Sequence, residues 1–356
     1  MRIEDLSPEE LENLAHKILK VKKSPTISVM PDFFLDRIVS YGSSLESFLT
    51  DVKRIAEQGG GSLGFRKQSL IRGGNAANTA SALARLGARV KLFLKTSHIG
   101  LELLKMLMPI DVDLSRVRSD GELSMTVAIE LAHRGRLCNV MISDPGSLAH
   151  YGPGELSEED YIELSRSDYV CIFNWTSNLE GTKLAEEVFR KIKAKGKAKT
   201  FMDTADPSQR REEIPELVEK VFKPTLLDAL GVNENEARWY ASALGCSAED
   251  PLACAEELQR SLGIRVDLHT VEYSATFSSS ERSLVPCFKV KTLRVTGAGD
   301  AWNAGNIYGW ALGLSPRERL ILANAVAAYY ISSLHGEHPK IDDVARFLEE
   351  QARLLR

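Results

Sequence analysis

The stretch RVTGAGDAWNAGNIYGWALG, residues 294–313, sets three small residues, Gly297, Ala298 and Gly299, directly before Asp300. Small residues let a backbone approach a ligand closely. The pattern predicts a helix that starts here, with Asp300 in its first turn. The free N–H groups of a helix start hold anions, and a carboxylate at the same place can take a proton from a hydroxyl. An oxyanion cradle beside a base is what phosphoryl transfer to an alcohol requires. The same residues also read as a tight turn running into an acidic helix cap. A second stretch, GGNAANTASALARLG, residues 73–87, places Gly73 and Gly74 before Asn75 and an Ala-rich helix. Asn78 offers donor and acceptor groups suited to sugar hydroxyls. The plain alternative is a glycine turn into a packed helix. The stretch is not GxGxxG and no strand is read directly before it, which disfavours a dinucleotide site.

Taken together, the two stretches resemble the ribokinase, or PfkB-type, carbohydrate kinase family over about residues 26–350: the glycine pair and Asn helix come early, GAGD late. Asp36 in TISVMPDFFLD stands where that family keeps a substrate-binding Asp. Asn233 and Glu236 in VNENEA match its Asn-x-x-Glu motif, which organises Mg²⁺ and phosphate through water. Asn324 in ILANAVAA matches the helix lining its adenine pocket. The resemblance implies Asp300 as the base and Gly297, Ala298 and Gly299 as the anion hole. It implies Asp36, Gly74, Asn75 and Asn78 as acceptor contacts, and Asn233, Glu236, Thr296 and Asn324 on the nucleotide side. The implied cofactors are Mg²⁺ and ATP or ADP as donor. The implied acceptor is a sugar, a nucleoside or a sugar phosphate such as ribose 1-phosphate. A sensor on the same fold that binds a sugar or nucleotide without catalysis is the alternative.

Several positions depart from the family pattern. Arg294 and Val295 replace an Asp-Thr pair whose Asp helps to hold a monovalent cation; Thr296 is kept. An Arg cannot ligate K⁺, but its fixed charge can replace the cation's effect on the anion loop, unless it simply points outward. HTVEYSA, residues 269–275, puts His269, Val271 and Ser274 where the family's nucleotide loop has Thr and glycines. Pro31 replaces a Gly, and Asp32 beside it is either an added carboxylate near the acceptor or a turn residue. Arg134 and Arg136 at a hairpin tip suit a substrate phosphate or are solvated surface charges. Asn174, Trp175 and Thr176 end a strand where further substrate contacts are expected; Trp175 either stacks on a ligand or packs in the core.

These residues need elements to position them. Strands are expected at 26–31, 89–94, 168–174, 199–203 and 265–270, with helices at 75–87, 299–313, 315–334 and 341–354. The alternation argues for a largely parallel sheet covered on both faces. The fold implied is α/β, a ribokinase-like three-layer α/β/α body with a small β lid. Residues 1–25 read as a helical extension and 26–356 as the kinase domain, with the lid drawn from about 36–72 and 112–145. Family members often dimerise through the lid, which leaves a homodimer open. The chain has 356 residues, a net charge of −4 and 44% hydrophobic residues. Such mild acidity excludes bulk nucleic-acid binding. No apolar run is long enough for a membrane span, and the charged N-terminus is not of signal-peptide type. The five cysteines are scattered without metal spacing, as expected of reduced thiols in a cytoplasmic enzyme.

Overall fold

A computed structural model describes residues 5–333 and 336–356. In chain order the first elements are α1 (Pro8–Lys20), β1 (Thr26–Met30), β2 (Phe34–Ser44), α2 (Leu45–Glu57), β3 (Lys67–Gly73), α3 (Asn75–Leu86), β4 (Arg89–Lys95), α4 (His98–Leu107) and β5 (Val112–Arg118). There follow β6 (Ser124–His133), β7 (Arg136–Asp144), α5 (Glu158–Arg166), β8 (Tyr169–Phe173), α6 (Gly181–Lys195), β9 (Lys199–Asp203), a short α7 (Ile214–Leu217) and β10 (Ala229–Val232). The chain closes with α8 (Glu234–Ala243), α9 (Pro251–Leu262), β11 (Arg265–His269), β12 (Tyr273–Phe277), β13 (Arg282–Pro286), α10 (Ala298–Ala311), α11 (Pro316–Ser332) and α12 (Ile341–Leu354).

The main sheet has nine strands in the order β13-β12-β11-β10-β9-β8-β1-β4-β5. Every pairing from β11 across to β5 is parallel, and only the β11–β12–β13 end is antiparallel. Parallel strands covered on both faces read as continuous apolar runs, and all five residues of β8, YVCIF, are buried. One face packs against α1, α3, α10, α11 and α12 through residues such as Leu83, Ile307 and Leu322. The other packs against α5, α6, α8 and α9 through Leu184, Phe189 and Leu258. The three-layer body is as expected. The chain goes one way from β1, through β4 to β5, and later returns to place β8 on the other side of β1. Ligands of open α/β sheets bind at the carboxyl ends of strands beside such a reversal.

A second sheet, β3-β2-β6-β7, is the expected lid. β1 passes into β2 through only Pro31–Phe33, across a cis Met30–Pro31 bond. Ser44 caps α2, its side chain accepting from Ser47 N at 3.2 Å. The lid is smaller than expected on its second side. Residues 112–118 are β5, the edge of the main sheet, parallel to β4. The reason is local: β4, α4 and β5 form a βαβ crossover, which returns a strand to the same sheet. Only 124–144 of that segment joins the lid.

The N-terminal extension is also corrected. Leu11, Leu14, Ala15 and Ile18, one face of a 3.6-residue period, are buried against the body. Lys17 pairs with Glu318 at 2.8 Å, and Arg356 with Glu12 at 2.7 Å. Helix α1 is thus part of the body layer; residues 1–4 of the expected extension lie outside the described residues. Among the described residues no helix is long and apolar enough to cross a membrane. All five cysteines are free thiols.

Candidate active site

Five strands of the main sheet end side by side and hand polar residues to one crevice. Asp32 follows β1, Asn174 follows β8, Asp203 ends β9, Asn233 follows β10 and His269 ends β11. Asp32 is fully buried and is neither a turn nor a surface residue. Its carboxylate accepts from Asn75 N (2.9 Å) and Ala76 N (2.7 Å), the open N-terminus of α3, and from Asn174 Nδ2 (2.8 Å). It caps a helix 43 positions along the chain. Burial raises its pKa, and the Asn174, Ala76 and Asn75 donors oppose that rise.

Gly73 and Gly74 permit this arrangement. A strand does precede them: β3 runs to Gly73, which the sequence reading missed because KQSLIR alternates weakly. A Cβ on Gly74 would lie 3.0 Å from Phe33 Cα and Phe34 N, and Gly74 has φ +92°. A Cβ on Gly73 would fall 2.1 Å from Asp36 Oδ2. Asp36 therefore hangs from the lid directly over the glycine pair. Burial pushes its pKa up to about 6; the Thr126 hydroxyl lowers it and the Asp32 charge adds to the rise.

Asp300 lies at the convergence of α3 and α10, whose alanines, among them Ala76, Ala80, Ala301 and Ala304, are fully buried and let the helices approach closely. Asn75 Nδ2 donates to Asp300 Oδ1 at 2.8 Å and Asn78 Nδ2 to Oδ2 at 2.9 Å. Arg72 Nε donates to Asn78 Oδ1 at 3.0 Å. An Arg can only donate, so it fixes which way the Asn78 amide faces. Burial pushes the Asp300 pKa up to about 7; the Asn78 and Asn75 donors lower it, and the charges of Asp203 and Asp32 raise it. A base poised near neutrality is suited to proton abstraction.

Gly297, with φ +85°, is the N-cap of α10. Tyr330 closes its other side: a Cβ there would meet Tyr330 Oη at 2.7 Å. The Ala298 N–H is taken by Val295 O at 3.2 Å. The amides of Gly297, Gly299 and Asp300 have no acceptor among the described residues, which leaves them able to donate to an anion. Thr296 is exposed beside it, its carbonyl accepting from Tyr330 Oη at 3.2 Å. Arg294 turns inward, not out. Its Nε donates to Ser333 O at 3.3 Å, and its guanidinium packs so closely on Gly336 that a Cβ there would meet Nη1 at 1.9 Å. A fixed cation thus sits between the anion loop and the chain leaving α11.

Asn233 and Glu236 form a reciprocal cap on α8, Asn233 N donating to Glu236 Oε2 at 2.8 Å. Glu236 is buried, and burial together with the Asp203 charge raises its pKa well above the usual carboxylate value. Asn303 Nδ2 donates to Asp203 Oδ2 at 2.7 Å, while Asn303 Oδ1 is buried without a partner. Acids held together with an orphaned oxygen fit a hard cation. Among the described residues no three acidic, His or Cys side chains form a direct cage, so Mg²⁺, which keeps several waters, would be held through water. Asp203 escaped the sequence reading; its signal is an acid at the carboxyl end of a buried strand.

Two expected contacts are placed elsewhere. Asn324 is engaged internally: Oδ1 accepts from Ser274 Oγ and Trp302 Nε1, both at 2.9 Å, and one Nδ2 hydrogen is donated to Pro286 O at 3.1 Å. It ties β12 and β13 to α10 and α11. Arg136 pairs with His133 at the turn of the β6–β7 hairpin, whose other end, Met125↔Asp144, adjoins the site. A strand that long carries the Arg136 backbone about 27 Å from that end, so the structure does not bring Arg136, or the neighbouring Arg134, to the crevice. Trp175 is a core residue, fully buried with Arg210 over its ring at 4.1 Å. The His269 ring lies tilted against Trp302, their centroids 4.9 Å apart, and meets Gly299, where a Cβ would stand 3.2 Å from its Cε1.

Comparison with known proteins places the family and the fold. The family model "pfkB family carbohydrate kinase" matches residues 35–341. Among solved structures, a ribokinase of Arabidopsis thaliana complexed with ribose and ATP superposes with a TM-score of 0.71 at 19% identity, covering 92% of this chain and 99% of the other. A nucleoside kinase of Methanocaldococcus jannaschii gives 0.65 at 18%, covering 92% and 99%. A fructokinase of Xylella fastidiosa with bound ATP gives 0.69 at 16%, again covering 92% and 99%. No curated protein matches the sequence.

Proposed function

This chain belongs to the pfkB family of carbohydrate kinases, phosphotransferases with an alcohol group as acceptor, and from that premise we propose that it moves a phosphoryl group from ATP or ADP to a hydroxyl of a sugar, a nucleoside or a sugar phosphate. The observation that carries the reading is Asp300. It is a buried acid with a pKa near 7, held by two carboxamides at the first turn of a helix where the Gly297, Gly299 and Asp300 amides have no acceptor among the described residues.

In this reading Asp36 and the Gly74 backbone hold the acceptor, with Asn75 and Asn78. Asp300 takes the proton from its hydroxyl. The amides of Gly297, Gly299 and Asp300 stabilise charge on the group in transfer, as preorganised donors do. Asn233, Glu236 and Asp203 would hold Mg²⁺ through water, and the ion would neutralise charge on the donor phosphates. Arg294 supplies a permanent positive charge behind the loop. The ribose and ATP in the Arabidopsis structure support a sugar and a nucleotide as the pair of ligands. Five unpaired thiols suit the cytoplasm. The outward lid face, with Val127, Val140 and Ile142 exposed, suits a homodimer formed through the lid.

The test is a screen of ATP and ADP against pentoses, hexoses, nucleosides and their phosphates, with the Asp300→Asn variant as control. Turnover with one acceptor class, lost in the variant, is the expected result. Specific binding without nucleotide consumption would instead identify a sensor, the reading favoured by the internal bonds of Asn324 and the His269–Trp302 contact on the donor side.

A further inference from the structure

Asn78, Ser81 and Arg85 share one face of α3, at spacings of three and seven. Beyond Asn78 this face borders a cavity of about 320 Å³. Arg72 of β3, the Leu107–Pro109 segment at the end of α4, and Gly336–His338 before α12 complete its wall.

The wall is rich in donors. Arg72 Nη1 donates to Leu107 O at 2.8 Å, and its Nη2 lies 3.4 Å from His338 Nδ1. Ser81 Oγ lies 3.2 Å from the same Nδ1. A guanidinium has no acceptor and a hydroxyl can donate, so Nδ1 accepting from both satisfies all three groups and puts the imidazole proton on Nε2. Tyr330 stacks on the imidazole at 4.7 Å, which holds the ring in place. His338 is buried, and Nε2 has no partner among the described residues. Arg85 uses Nε on His338 O at 3.2 Å. No carboxylate lies within ion-pair distance of Arg72 or Arg85 among the described residues. The one acid in the wall, Glu337, is exposed. A buried donor without an acceptor is unfavourable. Asp300 offsets the charge of Arg72 from behind Asn78, so the unmet demand at the cavity is the Arg85 charge and the Nε2–H of His338.

We propose that this cavity binds a small phosphate ester, its phosphate gripped by the fork of Arg85, by Arg72 and by the Nε2–H of His338, and its organic part lying on Leu107–Pro109. Planar guanidinium forks match phosphate oxygens in pairs. The site also adjoins the catalytic group: Arg72 Nε holds Asn78, and Asn78 holds Asp300. A bound ester that draws on Arg72 therefore alters the setting of Asp300. That consequence rests on Asp300 as base; the binding itself does not.

Calorimetric titration of the full chain tests the binding, with glycerol 3-phosphate, inorganic phosphate and glycerol as probes. Saturable binding of the ester, weaker binding of inorganic phosphate and no response to glycerol are expected. Arg85→Gln should weaken ester binding at least about tenfold, the loss of a charge-assisted hydrogen bond, and leave turnover without ester unchanged. Arg85→Lys keeps the charge and loses the fork, so its affinity should fall between the two. No saturable binding of the ester overturns the proposal, as does equal affinity in all three proteins. Inorganic phosphate binding as tightly as the ester overturns the part given to Leu107–Pro109. Heats of binding do not depend on turnover, so these outcomes hold whatever the acceptor screen finds.

Discussion

Two carboxamides facing one carboxylate do opposite things to Asp300. They favour its charged form, yet burial and the acids around it win and lift the pKa to about 7. kcat/KM should therefore rise with pH through about 7 as the carboxylate forms; a flat profile from pH 5 to 8 would remove Asp300 as the base. Asp300→Asn should lower kcat at least about 10²-fold, the scale of general-base catalysis, while calorimetry finds acceptor binding kept. The same shift acts on folding. A raised acid binds its proton more tightly in the folded state, so its contribution is fully present below the unfolded value of 3.8 and lost as pH rises through about 7. Wild type should lose more stability than Asp300→Asn between pH 5 and 8 in urea denaturation. At this scale Asp300 and Asn78 were legible because the motif keeps them adjacent to a helix start. Arg72 and Asp203 were not, because their partners lie far along the chain.

Helix starts and strand ends are where the chemistry is assembled. Helix α3 begins on the carboxylate of Asp32, reached only because the glycine pair brings its start against the β1–β2 link. Gly74→Ala must relieve both a 3.0 Å approach to backbone and a φ of +92°. It should destabilise the protein by about 1–3 kcal/mol, read by chemical denaturation, and should raise the acceptor KM. Helix α10 begins beside Arg294, whose guanidinium reaches the chain after α11. Activity should be indifferent to replacing K⁺ by Na⁺; a strong K⁺ requirement would defeat the idea that Arg294 takes the cation's place. Helix α12 was legible from its periodicity, α10 and α11, buried nearly all round, from their length and apolar composition, and β1, β4, β8, β9 and β11 from their apolar runs; β10, only four residues long, was not. The placement of β5 was not, since an alternating VDLSRVR suits a lid strand as well as a sheet edge, and only its pairing with β4 decides.

Across the whole molecule, the first helix and the last close the body together. Leu14 is 1% exposed between α1 and the body, so Leu14→Ala should cost about 2–4 kcal/mol and lower the melting temperature, without changing the acceptor preference. Unchanged stability would mean that α1 is an appendage after all. The motifs and their order determined, from the sequence alone, the α/β class with its second small sheet and the meeting of Asp300 with Asn75 and Asn78. They could do so because each motif is local: a helix start carries its own donors, and period and length distinguish strand from helix. Tertiary structure alone decided the rest. It assigned Asp32 to a helix cap and not to the surface, withdrew Asn324 into the core, carried Arg136 to the far end of a hairpin, and gathered Arg72, Arg85 and His338 around one cavity. Each of those outcomes depends on which residues meet across long stretches of chain, and residue type and spacing do not encode such meetings locally.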